Sequence, residues 1–239
     1  MLQWRKKPGY VALSLAILPV TVLLGAGAVR HDPGRAPAGP GGTAADTVAR
    51  GRYLVLTHAC GDCHGGGSDP STAGWLAGVM SPAQEFLIGP CAVTPGAKPC
   101  FHTRPRNLTP DNETGLGRFR ERQIFNALRY GLRPEETPDV EITSTTPGEG
   151  NFPLHPRYLA PPMPWPSWRH MPDEDLWAIA AYLKRAVKPV HNRVQESEGP
   201  PDFWASSYTV EKIGPHPART FPTQNEQVPT GSPGAPNER

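Results

Sequence analysis

Long apolar runs are missing from this 239-residue sequence everywhere except residues 10–29, and the apolar fraction is only 37%. With 31 prolines and 25 glycines interrupting the chain, long uninterrupted strands and helices are not expected outside that stretch. What remains is one loop-rich domain with appendages, or two small domains. Charge is nearly balanced, at a formal net +2, and the only basic run lies at the extreme N-terminus. No field for nucleic-acid binding is therefore present. Cysteine is scarce, with four in the chain. A structural zinc site needs two close ligand pairs, yet Cys91 and Cys100 stand nine residues apart, so Cys60 and Cys63 are not half of such a cluster. Nor does a strand-then-helix pattern surround Cys60, as a thioredoxin-like redox pair requires.

The chain is organised instead around Cys60-Gly61-Asp62-Cys63-His64. Two thiols three residues apart share one face of a helical turn, so both can reach one edge of a planar ring while the next side chain turns beneath it. This pattern fits covalent attachment of haem c, with Cys60 and Cys63 as thioether sulfurs and His64 as an axial iron ligand. A single motif predicts one haem per chain.

Arg5-Lys6-Lys7 followed by the apolar stretch 10–29 has the order of an export signal or of an inside-positive membrane anchor. The stretch just reaches spanning length, while Ala26-Gly27-Ala28 offers a small-x-small cleavage site. The chain is thus expected on the periplasmic side of the cytoplasmic membrane, either anchored by residues 10–29 or soluble after cleavage near Ala28. Residues 30–45, rich in Pro, Gly and Ala, read as a flexible linker.

Ordered structure is expected over 46–194, mostly as helices joined by Pro/Gly-rich loops. Asp46 is a candidate cap for a helix running through Gly51 toward His58 and into Cys60. Gly51 inside that helix marks a site where another helix backbone comes close. A second helix is expected after Phe119, with Ile124, Ala127 and Leu128 inward and Gly131 as its left-handed stop. A third begins near Pro172, with acids 173–175 at its positive end, and Leu176, Ile179, Ala180, Leu183 and Val187 on one face. That face should cross the first helix near Gly51, with Tyr182 close by. Residues 133–157 and 90–105 read as irregular loops. Cys91 and Cys100 are expected to pair in an exported protein, two unpaired apolar side chains being the alternative. From Gln195 to Arg239 no apolar periodicity survives, so this segment reads as an extended or disordered tail, laid over the domain or ordered on a partner.

A closed electron-carrying haem needs a second axial ligand. Met163, in Pro161-Pro162-Met163-Pro164-Trp165, is the leading candidate, since flanking prolines stiffen its loop. Gap-filling by a thioether is the competing role. Met171 is its rival, and His155, His170 and His102 are further alternatives.

Together these residues resemble the c-type cytochrome domains of the cytochrome subunits of membrane-bound alcohol and gluconate dehydrogenases. The matching pieces are Gly51-Arg52-Tyr53-Leu54, the motif 60–64, Asn107-Leu108-Thr109-Pro110-Asp111, Thr114-Gly115-Leu116-Gly117, Ala127-Leu128-Arg129-Tyr130-Gly131, Met163-Pro164-Trp165 and the segment 171–183. The resemblance implies an all-α cytochrome c-like domain wrapped around its haem, with Met163 as the distal iron ligand. It implies a carrier of single electrons from a dehydrogenase to an oxidase or other respiratory acceptor, with no bond chemistry of its own. A haem enzyme or gas sensor with an open iron site, or a structural subunit of a respiratory complex, are the competing classes. Subunits of that family carry three such domains, whereas this chain has one CxxCH.

Overall fold

The computed structural model describes residues 42–81, 84–200, 202–209 and 212. The apolar stretch 10–29, most of the linker and the tail beyond Lys212 lie outside these residues. Among those described, no helix is long and apolar enough to cross a membrane.

The first helix, α1, spans Ala44–Thr57. Its cap is Thr43 rather than Asp46: the Thr43 hydroxyl accepts from the Asp46 N–H, and the Asp46 carboxylate accepts from the Thr43 N–H. Asp46 is the return arm of a capping box, three residues inside the helix. The helix does not run on into Cys60. It stops at Thr57, and Ala59 adopts a left-handed conformation with φ 53°, which turns the chain into the separate short helix α2, Cys60–His64.

The all-α expectation needs correction between Phe86 and Thr103. There β1, Phe86–Ile88, pairs antiparallel with β2, Phe101–Thr103, in the register Leu87 opposite His102. A disulfide joins Cys91 to Cys100, 5.4 Å apart at Cα, and closes the connection between the strands. Periodicity cannot mark strands of three residues, so the region reads as loop in the sequence.

The third helix, α3, spans Glu121–Tyr130 and ends at Gly131, whose φ of 69° is the expected left-handed stop. Gly131 has a second role, because a Cβ there would lie 2.1 Å from the Trp165 ring. Trp165 opens the short helix α4, Trp165–Trp168, and is fully buried. The last helix, α5, spans Asp173–Arg185, with Pro172 as its cap residue and three acids in its first turn.

The core forms where α1 crosses α5. Leu54 and Val55 meet Leu176, Ile179 and Leu183, while Phe125 of α3 stacks on Trp177 with ring centroids 4.7 Å apart. Lys184 holds the 109–118 loop to α5, its ammonium donating to the carbonyls of Leu116 and Gly117. The loop 133–157 encloses a smaller cluster of Tyr130, Leu132, Ile142 and Phe152, so its many prolines do not leave it unpacked. Residues 195–200 and 202–209 lie over the domain. Glu198 bridges His102 of β2, Trp204 packs edge-on against Phe101, and Asp202 accepts from Arg133 and Arg157.

Candidate haem site

Around α2 the chain is tied down by backbone bonds that no residue type announces. The His64 carbonyl accepts from the Gly78 N–H at 2.7 Å, the Gly65 carbonyl from the Leu76 N–H at 2.8 Å, and the Gly67 carbonyl from the Trp75 indole at 3.1 Å. Trp75, Leu76 and Ala77 are all buried. Sequence reasoning misses this clasp, since 74–86 carries mixed signals and the holding is done by main-chain groups.

The clasp also fixes the ring of His64. The Leu108 N–H donates to Leu76, and the Val79 N–H to Pro105, which brackets the Arg106 carbonyl. His64 Nδ1 lies 2.7 Å from that oxygen. A carbonyl can only accept, so Nδ1 carries the proton and Nε2 keeps its lone pair. Burial pushes the imidazole pKa down, against the pull of the Arg106 hydrogen bond, which favours the neutral ring a metal ligand requires. Behind Arg106, the Asn107 side chain accepts from Thr109 and donates to Thr114 and the Val190 carbonyl, while Asn192 donates to Ala77. The shared anchoring of 77–79, 107–114 and 190–192 keeps the acceptor in place.

The two thiols differ. Cys63 is exposed, whereas Cys60 is half-buried and packs against the main core cluster. Burial pushes the Cys60 thiol up to about 11. A metal thiolate would have to lose that proton, but a thioether sulfur is uncharged, so the Cys60 environment suits the second chemistry. A neutral half-buried sulfur, an exposed partner sulfur and an imidazole presenting Nε2 form a donor set that fits covalent haem c.

Met163 and Met171 are both half-buried against the cluster that Cys60 touches. The Met163 turn is held at both sides, its N–H donating to Ala160 and its carbonyl accepting from Trp165, each at 2.9 Å. Trp165, seated on Gly131 and stacked on Tyr158, anchors the turn. From α4, Trp168 meets His58 edge-on at 5.9 Å, which brings this loop to the residue just before Ala59 and Cys60. Of the histidine alternatives, His102 is on β2 with its ring engaged by Glu85 and Cys100. His155 is exposed and His170 half-buried.

No family model matches this chain. It is 26% identical over 178 residues to the fructose dehydrogenase cytochrome subunit of Gluconobacter japonicus, a match covering 74% of this chain and 29% of that protein. To the cytochrome c subunit of the quinone-type alcohol dehydrogenase of Gluconacetobacter polyoxogenes it is 29% identical over 160 residues, 67% of this chain and 25% of that one. The gluconate 2-dehydrogenase cytochrome c subunit of Pantoea cypripedii is 28% identical over 153 residues, 64% of this chain and 26% of the relative. The chain therefore resembles cytochrome subunits of fructose, alcohol and gluconate dehydrogenases, and it spans about a quarter of the length of these curated relatives.

Proposed function

We propose that this protein is an exported c-type cytochrome that accepts single electrons from a dehydrogenase and passes them to a respiratory acceptor such as a terminal oxidase. One haem c per chain would be bound through Cys60 and Cys63, with His64 and Met163 as axial ligands of its iron. The haem supplies one-electron chemistry when bound. The protein's contribution is to hold and tune it. Arg106 orients His64 and strengthens it as a donor through the Nδ1 proton, as the outer hydrogen-bond partners of metal-bound imidazoles do. The Met163 turn, braced by Trp165, would close the opposite side to other ligands. Export follows from the basic-then-apolar N-terminus, as cleaved signal or as anchor, and the working side would be the periplasm.

The observation that carries this reading is the His64–Arg106 hydrogen bond directly beside the paired thiols: it leaves a neutral Nε2 for iron. Resemblance to cytochrome subunits of dehydrogenases supports the choice of electron donor. The test is a pyridine haemochrome assay normalised to protein, after extraction with acidic organic solvent. One haem retained per chain is the expected result; haem that extracts, or a count of two, overturns the reading.

A further inference from the structure

A second redox-capable group lies between β1 and β2. The disulfide between Cys91 and Cys100 borders a cleft of about 240 Å³ lined also by Leu87, Pro95, Lys98 and His102. His102 Nε2 stands 3.5 Å from the Cys100 sulfur, and its Nδ1 stands 3.0 Å from a Glu85 oxygen. A carboxylate accepts, so Nδ1 holds its proton and Nε2 is the atom that gains or loses one beside the sulfur. Glu85 is itself fixed by Arg104, 2.6 Å from its second oxygen. A structural disulfide needs none of this: the bond has no proton to exchange while it is intact. A sulfur with an oriented, partly exposed imidazole against it, opening on a cleft with a lysine, is arranged for the moment the bond breaks.

We propose that Cys91–Cys100 is a thiol–disulfide exchange site that takes a small thiol, with His102 exchanging the proton of Cys100. The incoming thiolate attacks the Cys91 sulfur and forms a mixed disulfide there. The S–S electron pair passes to Cys100, which takes the proton of His102 Nε2. A second thiolate then attacks the sulfur of the adduct and releases Cys91, which is protonated from water, so two thiols are oxidised to their disulfide as the protein's disulfide is reduced. In the reverse direction neutral His102 removes the Cys100 proton. The charged groups around the imidazole are Glu85 on Nδ1, Arg104 behind it, Lys98 in the cleft and Glu198 across the backbone bridge to β2. An imidazolium beside a thiol lowers its pKa by about two units, and leaving-group departure then speeds by about tenfold. The site acts independently of the haem reading.

The experiment uses the full-length holoprotein with glutathione as the thiol, quenched by alkylation and read by mass spectrometry. The expected adduct is on Cys91 with Cys100 alkylated, and the rate falls about tenfold in His102→Gln. In wild type reduced by a phosphine, the pH profile of Cys100 alkylation should inflect well below the ordinary thiol value of roughly 8.5. This last measurement needs no variant and decides the matter if His102→Gln misfolds. An adduct on Cys100, a rate indifferent to His102, an ordinary Cys100 inflection, or a disulfide that reacts only after denaturation would each overturn the proposal.

Discussion

Gly51 meets the backbone of Ala178 where α1 crosses α5, so closely that a Cβ at Gly51 would lie 1.9 Å from the Ala178 carbonyl oxygen and 2.7 Å from the Tyr182 Cβ. Both neighbours are helical backbone or its first carbon, which cannot swing aside. Gly51→Ala gains about 1 kcal/mol of helix propensity. It must also force apart a tightly packed backbone contact, at a cost of about 2–3 kcal/mol, the upper part of the overpacking range. The net expectation is a protein destabilised by about 1–2 kcal/mol, seen as a lowered midpoint in urea. Ala49→Gly, on the exposed side of the same helix, should lose only the propensity of about 1 kcal/mol. A Gly51→Ala variant as stable as wild type would mean the crossing is looser than described.

Arg129 makes a different kind of junction. Its guanidinium, 2% exposed, donates to the carbonyls of Arg169 and Met171 and to the Asp173 carboxylate, joining α3 to the start of α5. Arg129→Leu leaves the Arg169 and Met171 carbonyls without their donor, while the exposed Asp173 carboxylate is left to water, and we expect a loss of about 2–3 kcal/mol by chemical denaturation. Arg129→Lys should recover only part, since one ammonium cannot reproduce the planar fork. Full recovery by lysine would show that charge alone is needed.

The parts of the structure legible in the sequence are those set by a residue's own chemistry. The CxxCH pattern is local, Gly51 stands out as a helix defect that must have a reason, and Gly131 announces a left-handed stop. Arg106 is not legible as a site residue, because its contribution is a carbonyl, which every residue has. The segment Trp75–Val79 works the same way. Its position depends on hydrogen bonds with Pro105, Leu108 and Asn192, distant in sequence and without a periodic mark. Arg129 lies inside a recognisable segment, yet a buried guanidinium cannot be told from an exposed one until its acceptors are known. The strands β1 and β2 are too short to show a period, and the cap of α1 moves from Asp46 to Thr43 because the two residues share one reciprocal motif.

Acid should expose the contribution of Asp111. Its carboxylate accepts from the Thr114 N–H at 2.7 Å, the Thr114 hydroxyl and the Glu113 N–H, with His191 nearby, and these bonds hold its pKa below the ordinary 3.8. A carboxylate depressed in the folded state stabilises the fold above its unfolded value, and that stability is lost as pH falls through the folded one. Urea midpoints of wild type and Asp111→Asn should therefore differ at pH 7 and converge as the pH drops below 3.8. Other carboxylates shift both proteins together. A gap that persists undiminished in acid would assign the effect of the substitution to packing.

Burial does not discriminate between Met163 and Met171, since both pack against the same core cluster. The backbone separates them. Met163 occupies a tight turn whose N–H and carbonyl are both engaged and whose next anchor, Trp165, is immobilised against Gly131 and Tyr158. Met171 precedes α5 with its carbonyl taken by Arg129, a residue committed to joining helices. With Met163 as distal ligand, Met163→Ala should abolish the methionine–iron charge-transfer band of the oxidised protein, open the iron to added imidazole and lower the reduction potential, because a thioether favours ferrous iron. Met171→Ala should keep the band and the potential while costing about 2 kcal/mol of stability, the low end for a truncated, half-buried thioether. The opposite pattern would move the ligand to Met171. A spectrum unchanged by either substitution would leave a histidine or an open position opposite His64, and electron transfer through a closed His/Met site would no longer describe this protein.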